Sequence, residues 1–347
     1  HLDASHRLGF LYVTDSYANE FDDIAIFLRQ NTGVPHWVGT IGMGVCAAGV
    51  EYFDEPAMSV LVAPIPDSAF RVFSGVRDNV SQVVTDHGDW LNSIPGSLGV
   101  VHADPGNPGV VERLEALSSA TNGFLVGGLT ASRGRMAQLA GDVTNGDISG
   151  VMLSLEDVPV QAGLTQGCSP IGPVRTVTKS EQNLILELDG EPALAVLKND
   201  VGDVLARDLR RISGYIFAAL PVKGSDTVDY LVRNLTGIDP ENQAVGIGDY
   251  VSVGDTVMFC RRDHDSAVED LRRMARDLKR RAGDAAIRGG LYFSCVARGP
   301  NQFGPGSQEL GLIQEELGEF PLAGFFANGE ISNDRLYGYT GVLTIFL

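Results

Sequence analysis

Leu98-Gly99-Val100-Val101-His102-Ala103-Asp104 is a near-continuous apolar run ending on a polar residue, the pattern of a strand buried on both faces. Val110 to Ala120 follows, with Val110, Val111, Leu114 and Leu117 on one stripe, and this spacing predicts a helix. Phe124-Leu125-Val126-Gly127-Gly128-Leu129-Thr130 then reads as a second strand, and Ser149 to Leu155 as a third. The same plan opens the chain: Gly9 to Asp15, a helix over Asp22 to Gln30 with apolar Ile24, Phe27 and Leu28, Trp37 to Gly44, and Met58 to Ala63. It also closes it, with Leu291 to Val296, a helix over Gln308 to Leu317, Leu322 to Glu330, and Tyr339 to Phe346. Gly39, Gly127 and Gly324 align in the three second strands.

A strand–helix–strand crossover makes its two strands parallel, and the strand after the next turn adds an antiparallel neighbour. The expected fold is α/β: mixed β-sheets with flanking helices, built from pseudo-repeated strand–helix–strand–strand units in two parts. Ligands of such sheets sit beyond the carboxyl ends of the parallel strands. The polar residues there are Thr14, Asp15, His102, Asp104, Cys295 and Arg298 after the first strands, and Thr130, Ser132, Asn328 and Glu330 after the second.

Different material separates the second and third units. Ile185 to Leu188 reads as a strand, Pro192 to Leu197 starts a helix, Asp229 to Leu235 and Ala244 to Ile247 pair around a turn, and Thr256 to Arg261 is a further strand. Ser266 to Arg281 is an amphipathic helix. Its basic row of Arg272, Arg273, Arg276, Lys279, Arg280 and Arg281 is most simply a solvated face, with docking of an acidic partner as the alternative. A boundary at residue 212 divides the chain into parts 1–212 and 213–347.

With 347 residues, 44% hydrophobic and 20% charged, the chain can bury a real core. Its 26 Lys+Arg against 44 Asp+Glu, net charge -18, argue against nucleic acid and anionic membranes as partners. No apolar run approaches the ~20 residues that span a bilayer. Cys46, Cys168, Cys260 and Cys295 form no CxxC pair, so neither a disulfide framework nor a zinc knuckle is indicated, and lone thiols fit the cytoplasm. The histidines show no metal-ligand spacing. The Gly127-Gly128 and Gly42-Met43-Gly44 stretches lead into strands, which disfavours a phosphate loop.

Several motifs in order resemble one family. Gln166-Gly167-Cys168-Ser169-Pro170-Ile171-Gly172-Pro173, followed by Asn183 to Ala193, resembles the signature of the FIST domain. Phe259-Cys260-Arg261-Arg262-Asp263 before a helix resembles the start of its C-terminal part. Phe293-Ser294-Cys295-Val296-Ala297-Arg298-Gly299 and Gly324 to Ile331 resemble its remaining blocks. The resemblance covers about Asp22 to Thr344. It implies a sensory module with N- and C-terminal parts that binds a small ligand, with amino acids suggested for the family. The sequence carries no output domain before Leu347, so the resemblance implies either a separate signalling partner such as a kinase or a longer protein of which this is a part.

The ligand-binding residues expected on this basis are Gln166, Gly167, Cys168, Cys295, Arg298, Asn328 and Glu330. Arg298 could clamp a carboxylate bidentately, which suits an amino acid or organic acid, and Glu330 could receive an ammonium group or act as a general base. Two alternatives stay open. Some members of the family are haem proteins that sense nitric oxide and act on a kinase, and His102 is the best-placed axial ligand here; the leading expectation is no cofactor. A Cys168- or Glu330-based enzyme on a small carbonyl substrate is the other, although no nucleophile elbow is present and a non-catalytic receptor is the main reading. The oligomeric state is not legible.

Overall fold

The structure, a computed structural model, describes residues 2–206, 212–222 and 229–347. The chain forms two compact units, one from the residues up to Thr165 together with Val268–Leu347, the other Gln166–Ala267. This is a division by compactness, with one unit inserted into the other; the parts 1–212 and 213–347 divide the chain linearly instead.

Three strand–helix–strand–strand sets build the first unit. They are β1 (Leu8–Thr14), α1 (Phe21–Thr32), β2 (His36–Gly42) and β3 (Met58–Ala63); β4 (Ser97–Ala103), α2 (Val110–Thr121), β5 (Gly123–Leu129) and β6 (Ile148–Ser154); and β7 (Gly289–Cys295), α3 (Gln308–Leu317), β8 (Leu322–Ala327) and β9 (Gly341–Phe346). In each set the first strand lies between a parallel second strand and an antiparallel third. The sheets are mixed, with flanking helices, as the crossover argument requires.

The three sheets also trade strands in a ring. Trp37 to Gly44, expected as one strand, splits at Met43. The part beyond it, Gly44–Ala47, pairs antiparallel with β8 of the third set. Gln138–Ala140, which follows β5, pairs with β2 of the first set. Glu330–Ser332, which follows β8, pairs with β5 of the second. Each set thus caps a neighbour's sheet edge, which removes unpaired backbone groups that would otherwise invite aggregation. A common core joins them, including Phe10, Tyr12, Val100, Val126, Leu291, Phe293 and Phe325.

Gly39, Gly127 and Gly324 face Leu11, Val101 and Tyr292 on the parallel first strands. A Cβ on any of them would lie 1.7, 1.9 and 1.8 Å from the carbonyl oxygen of that residue, so only glycine fits.

The helix His264–Ala282 buries Leu271, Ala275 and Leu278. Its basic row is not simply solvated. Arg272 bonds Glu315 and Glu316 at 2.6 and 2.8 Å, Arg276 bonds Glu316 at 2.8 Å, and Lys279 donates to the Glu316 carbonyl, all on α3. Among the elements not foreseen are the strand Phe70–Val76 against β6 and the helix Ser81–Ser93.

The inserted unit is an antiparallel sheet running from Cys168–Pro170 to Ile216–Pro221, with the helix Ala193–Ala206 over it. Its core includes Val177, Ile185, Leu188, Leu194, Leu197, Val245 and Phe259. The expected pairing is present, with Tyr230–Asp239 against Ala244–Ile247, but the first strand runs on through Gly237, where the sequence suggested the turn would begin, and the turn lies at 240–243.

Candidate functional site

The face of each first strand that meets its helix decides what lies between sheet and helix. On β1 it presents Leu11 and Val13, in one cluster with Phe21 and Ala25 of α1. On β4 it presents Val101 and Ala103, clustered with Leu114 and Leu117 of α2. On β7 the residues in the same register are Tyr292 and Ser294, both fully buried, and they meet Glu309 near the start of α3. Tyr292 Oη donates to Glu309 Oε1 at 2.6 Å, and Ser294 Oγ lies 3.1 Å from each carboxylate oxygen. The Gly299 amide donates to Oε2 at 2.8 Å and Arg298 Nε to Oε1 at 2.7 Å.

Arg298 is the second largest fully buried side chain of the described residues. Burial works against its charge, but Glu309 at hydrogen-bond distance outweighs this and holds the guanidinium pKa above its ordinary value. Only one of its three nitrogens is used by Glu309. Nη1 and Nη2 are buried and meet no acceptor in good hydrogen-bond geometry among the described residues, although the Tyr292 hydroxyl lies close enough to interact with the guanidinium, whose carbon stands 5.0 Å from the centre of the Phe303 ring. Leaving such donors unsatisfied costs about 1–3 kcal/mol each, so a fold retains them only for a reason. A guanidinium held at Nε with Nη1 and Nη2 unpartnered is a donor pair to which a carboxylate can bond bidentately.

Glu330 lies within electrostatic range of this fork. It is fully buried on the strand Glu330–Ser332, and Oε2 accepts Thr340 Oγ1 at 2.8 Å and the Thr340 amide at 3.2 Å. Oε1 has no N–H or O–H partner among the described residues, and the Cys295 thiol lies beside the carboxyl. Burial pushes the Glu330 pKa up to about 8, against the pull of Thr340 and Arg298. Burial also raises the Cys295 thiol, with Glu330 adding to the effect, so this sulfur rests as a thiol.

Glu51, on the strand Val50–Phe53, completes the group. Its Oε1 accepts the Leu310 amide at 3.1 Å, and its own amide donates to Ser307 Oγ at 2.9 Å, a reciprocal cap on the N-terminus of α3. Burial, then the nearby Glu309, push its pKa up to about 7. Three carboxyl groups therefore surround one guanidinium, and only Glu309 is paired with it.

Of the residues expected from sequence, the structure brings Cys295, Arg298 and Glu330 together. Asn328 is exposed next to them in the chain and gives its amide to the Leu129 carbonyl. Gln166, Gly167 and Cys168 belong to the inserted unit. There Gln166 Nε2 donates to the Tyr230 carbonyl at 3.4 Å, Tyr230 Oη donates to the Cys168 carbonyl, and the Cys168 thiol hydrogen-bonds that of Cys260. Glu309, Glu51, Tyr292 and Ser294 were not foreseen. Two polar residues alternating on an otherwise apolar buried strand, facing an acid on the helix stripe, were the available signal.

The matching positions of the other two sets are occupied by internal partners. Asp15 is paired with Arg133 at 2.7 Å, which holds its carboxyl below the usual range. Asp104 caps its own loop through Gly106 and Gly146. Thr130 bonds Thr40 and Gln138.

His102, expected as the best-placed axial ligand for haem, lies among core aromatics. Its ring is fully buried among Tyr12, Phe293 and Phe325, at centroid distances of 5.5, 6.4 and 5.9 Å, and Nε2 is 3.2 Å from Tyr12 Oη. No group of acids, histidines and cysteines among the described residues could hold a metal ion.

The chain is similar to an uncharacterized protein of Mycobacterium tuberculosis, 29% identical over 363 residues, covering 98% of this chain and 91% of that protein. An uncharacterized protein of Mycobacterium bovis is likewise 29% identical over 367 residues, covering 98% and 90%. The FIST N domain matches residues 7–191 and the FIST C domain residues 193–333. With nearly its whole length matched, by domains known as sensory and implicated in signal transduction, the chain belongs to the FIST family.

Proposed function

We propose that the chain is a receptor for a small carboxylate ligand, an amino acid or a small organic acid, and that the carboxylate docks on Nη1 and Nη2 of Arg298. The observation that carries this reading is a fully buried guanidinium held from its Nε side with both terminal nitrogens unpartnered among the described residues. Glu330 Oε1 supplies a second open position, suited to an ammonium group. Occupancy would release the unsatisfied donors and shift α3 through Glu309, a differential interaction of the kind a sensor needs. In this reading the chain acts in the cytoplasm on a separate signalling protein such as a kinase, without catalysis of its own. The direct test is thermal shift with glycine, alanine, glutamate, propionate and succinate at millimolar concentration. At least one should raise the Tm of the natural chain and leave Arg298→Met unmoved. The reading fails if none stabilises the protein, or if the variant responds equally.

A further inference from the structure

A carboxyl group with no cation bonded to it, sealed in the protein interior, holds its proton. Glu330 is such a group. It is 0% exposed and forms no ion pair among the described residues; its N–H and O–H donors both come from Thr340 and act on one oxygen, and the only other donor beside it among the described residues is the weak Cys295 thiol. The groups that face it are few. Arg298 lies in the turn after β7 but is already neutralised by Glu309 at 2.7 Å. Cys295, at the end of β7, is an un-ionised thiol. Tyr337, across the hairpin, and Gly128, on β5, are its register partners and bring no charge. Glu51 also lies within electrostatic range of Arg298.

We propose that Glu330 is the proton-holding element of the Arg298 site: a neutral carboxylic acid in the resting protein, which releases its proton to solvent when positive charge arrives at Oε1. In the resting state the site is then electrically balanced, with one cation, Arg298, and one anion, Glu309. A second anion can approach the fork without repulsion from Glu330. Once Glu330 ionises, it competes with such an anion for the same guanidinium. The neutral resting state follows from burial alone; only the arrival of ligand charge rests on the receptor reading above.

The test needs no ligand. In the full chain, infrared spectra at pH 6.5 should show a protonated-carboxyl carbonyl band that is absent from Glu330→Gln, and the band should disappear with a midpoint near pH 8. Glu51→Gln identifies the separate contribution of that acid. The stability consequence has a definite sign. A carboxyl whose folded pKa lies above its unfolded value loses stability as pH rises from about 4.5 through about 8. The Tm of the natural chain should therefore fall relative to Glu330→Gln over that interval. If Glu330→Gln does not fold, Thr340→Val serves instead. It removes the 2.8 Å hydroxyl donor that favours the anion, and the band's midpoint should move to higher pH. Identical carbonyl regions in the natural chain and Glu330→Gln at pH 6.5, or a midpoint unmoved by Thr340→Val, would overturn the proposal. Failure of the thermal-shift panel with this band present would count against the ligand reading alone.

Discussion

In the first and second sets of the larger unit the helix rests on its sheet through aliphatic and aromatic side chains, Leu11 and Val13 on Phe21, Val101 and Ala103 on Leu114 and Leu117. In the third, the same register carries Tyr292 and Ser294 against Glu309, with Arg298 alongside. The backbone plan is shared; the chemistry between sheet and helix is not. Burying two charges carries a desolvation penalty of several kcal/mol per ion, and an apolar contact of similar volume usually stabilises as well or better. The chain holds two examples of the less demanding solution. On the receptor reading proposed above, the third interface is a site of recognition placed where the other two have only packing.

The largest effect should come from unbalancing that interface. Glu309→Ala leaves Arg298 buried and uncompensated and should cost about 3–5 kcal/mol in urea denaturation. Leu114→Ala, at the apolar interface, should cost about 2–5 kcal/mol through its cavity. The two are separated by a second step. Arg298→Met combined with Glu309→Gln, which keeps an acceptor for Tyr292 and Ser294, should recover most of the lost stability while abolishing any ligand response. A double variant as unstable as Glu309→Ala would make the ion pair a structural device and remove the contrast with the first two sets.

The next effect concerns the three rings that meet from the first strands, Tyr12, His102 and Phe293. His102 alone can take a proton, and burial lowers its pKa to about 3. The unfolded chain binds that proton from about pH 6.5 downward, so stability should fall as pH drops from 6.5 toward 3, by roughly 1.4 kcal/mol per pH unit at the steepest. His102→Phe, which copies the third set, should lose the Tyr12 hydrogen bond yet flatten this acid limb. An unchanged limb would show that other groups carry it.

How much of this was legible in the sequence differs between the same regions. The α3 bounds, Gln308–Leu317, follow from apolar spacing, and Cys295, Arg298 and Glu330 follow from their positions at strand ends. Glu309 was hidden because helix periodicity describes a stripe, and a single acid beside Leu310 and Ile313 does not change it. The strand exchange was hidden for another reason. Gly44–Ala47 pairs with β8 nearly 280 residues later, and nothing local encodes a partner at that distance. The helix Ser81–Ser93 was missed because it buries only Val83, which leaves little amphipathic signal. By contrast, Gly39, Gly127 and Gly324, which align in the three second strands, each sit at a close approach of backbone to backbone.

Those glycines give a third way to compare the sets. Gly39→Ala, Gly127→Ala and Gly324→Ala each drive a methyl group into the facing carbonyl, and each should cost about 1–3 kcal/mol as the strands separate. In the first two sets the loss should be one of stability only. In the third, Gly324 faces Tyr292, which holds Glu309, so Gly324→Ala should also weaken the ligand response. Equal loss of response in all three variants would mean that the site is not local to the third set.

The smallest effect lies at the other end of α3. Glu316 accepts both Arg272 and Arg276 from the helix His264–Ala282, but Arg276 keeps 64% of its side chain exposed, and such pairs contribute only about 0.2–1 kcal/mol, less as salt rises. Arg276→Ala should accordingly lower stability by no more than that, with the difference vanishing in molar salt. Its value lies in what it separates. If α3 conveys occupancy of Arg298 to the long helix, Arg276→Ala should leave the ligand-induced Tm shift intact while reducing the change in hydrogen exchange along His264–Ala282. A variant that alters neither would confine the consequences of binding to the Arg298 end of α3, and the basic row would then serve only to hold two helices together.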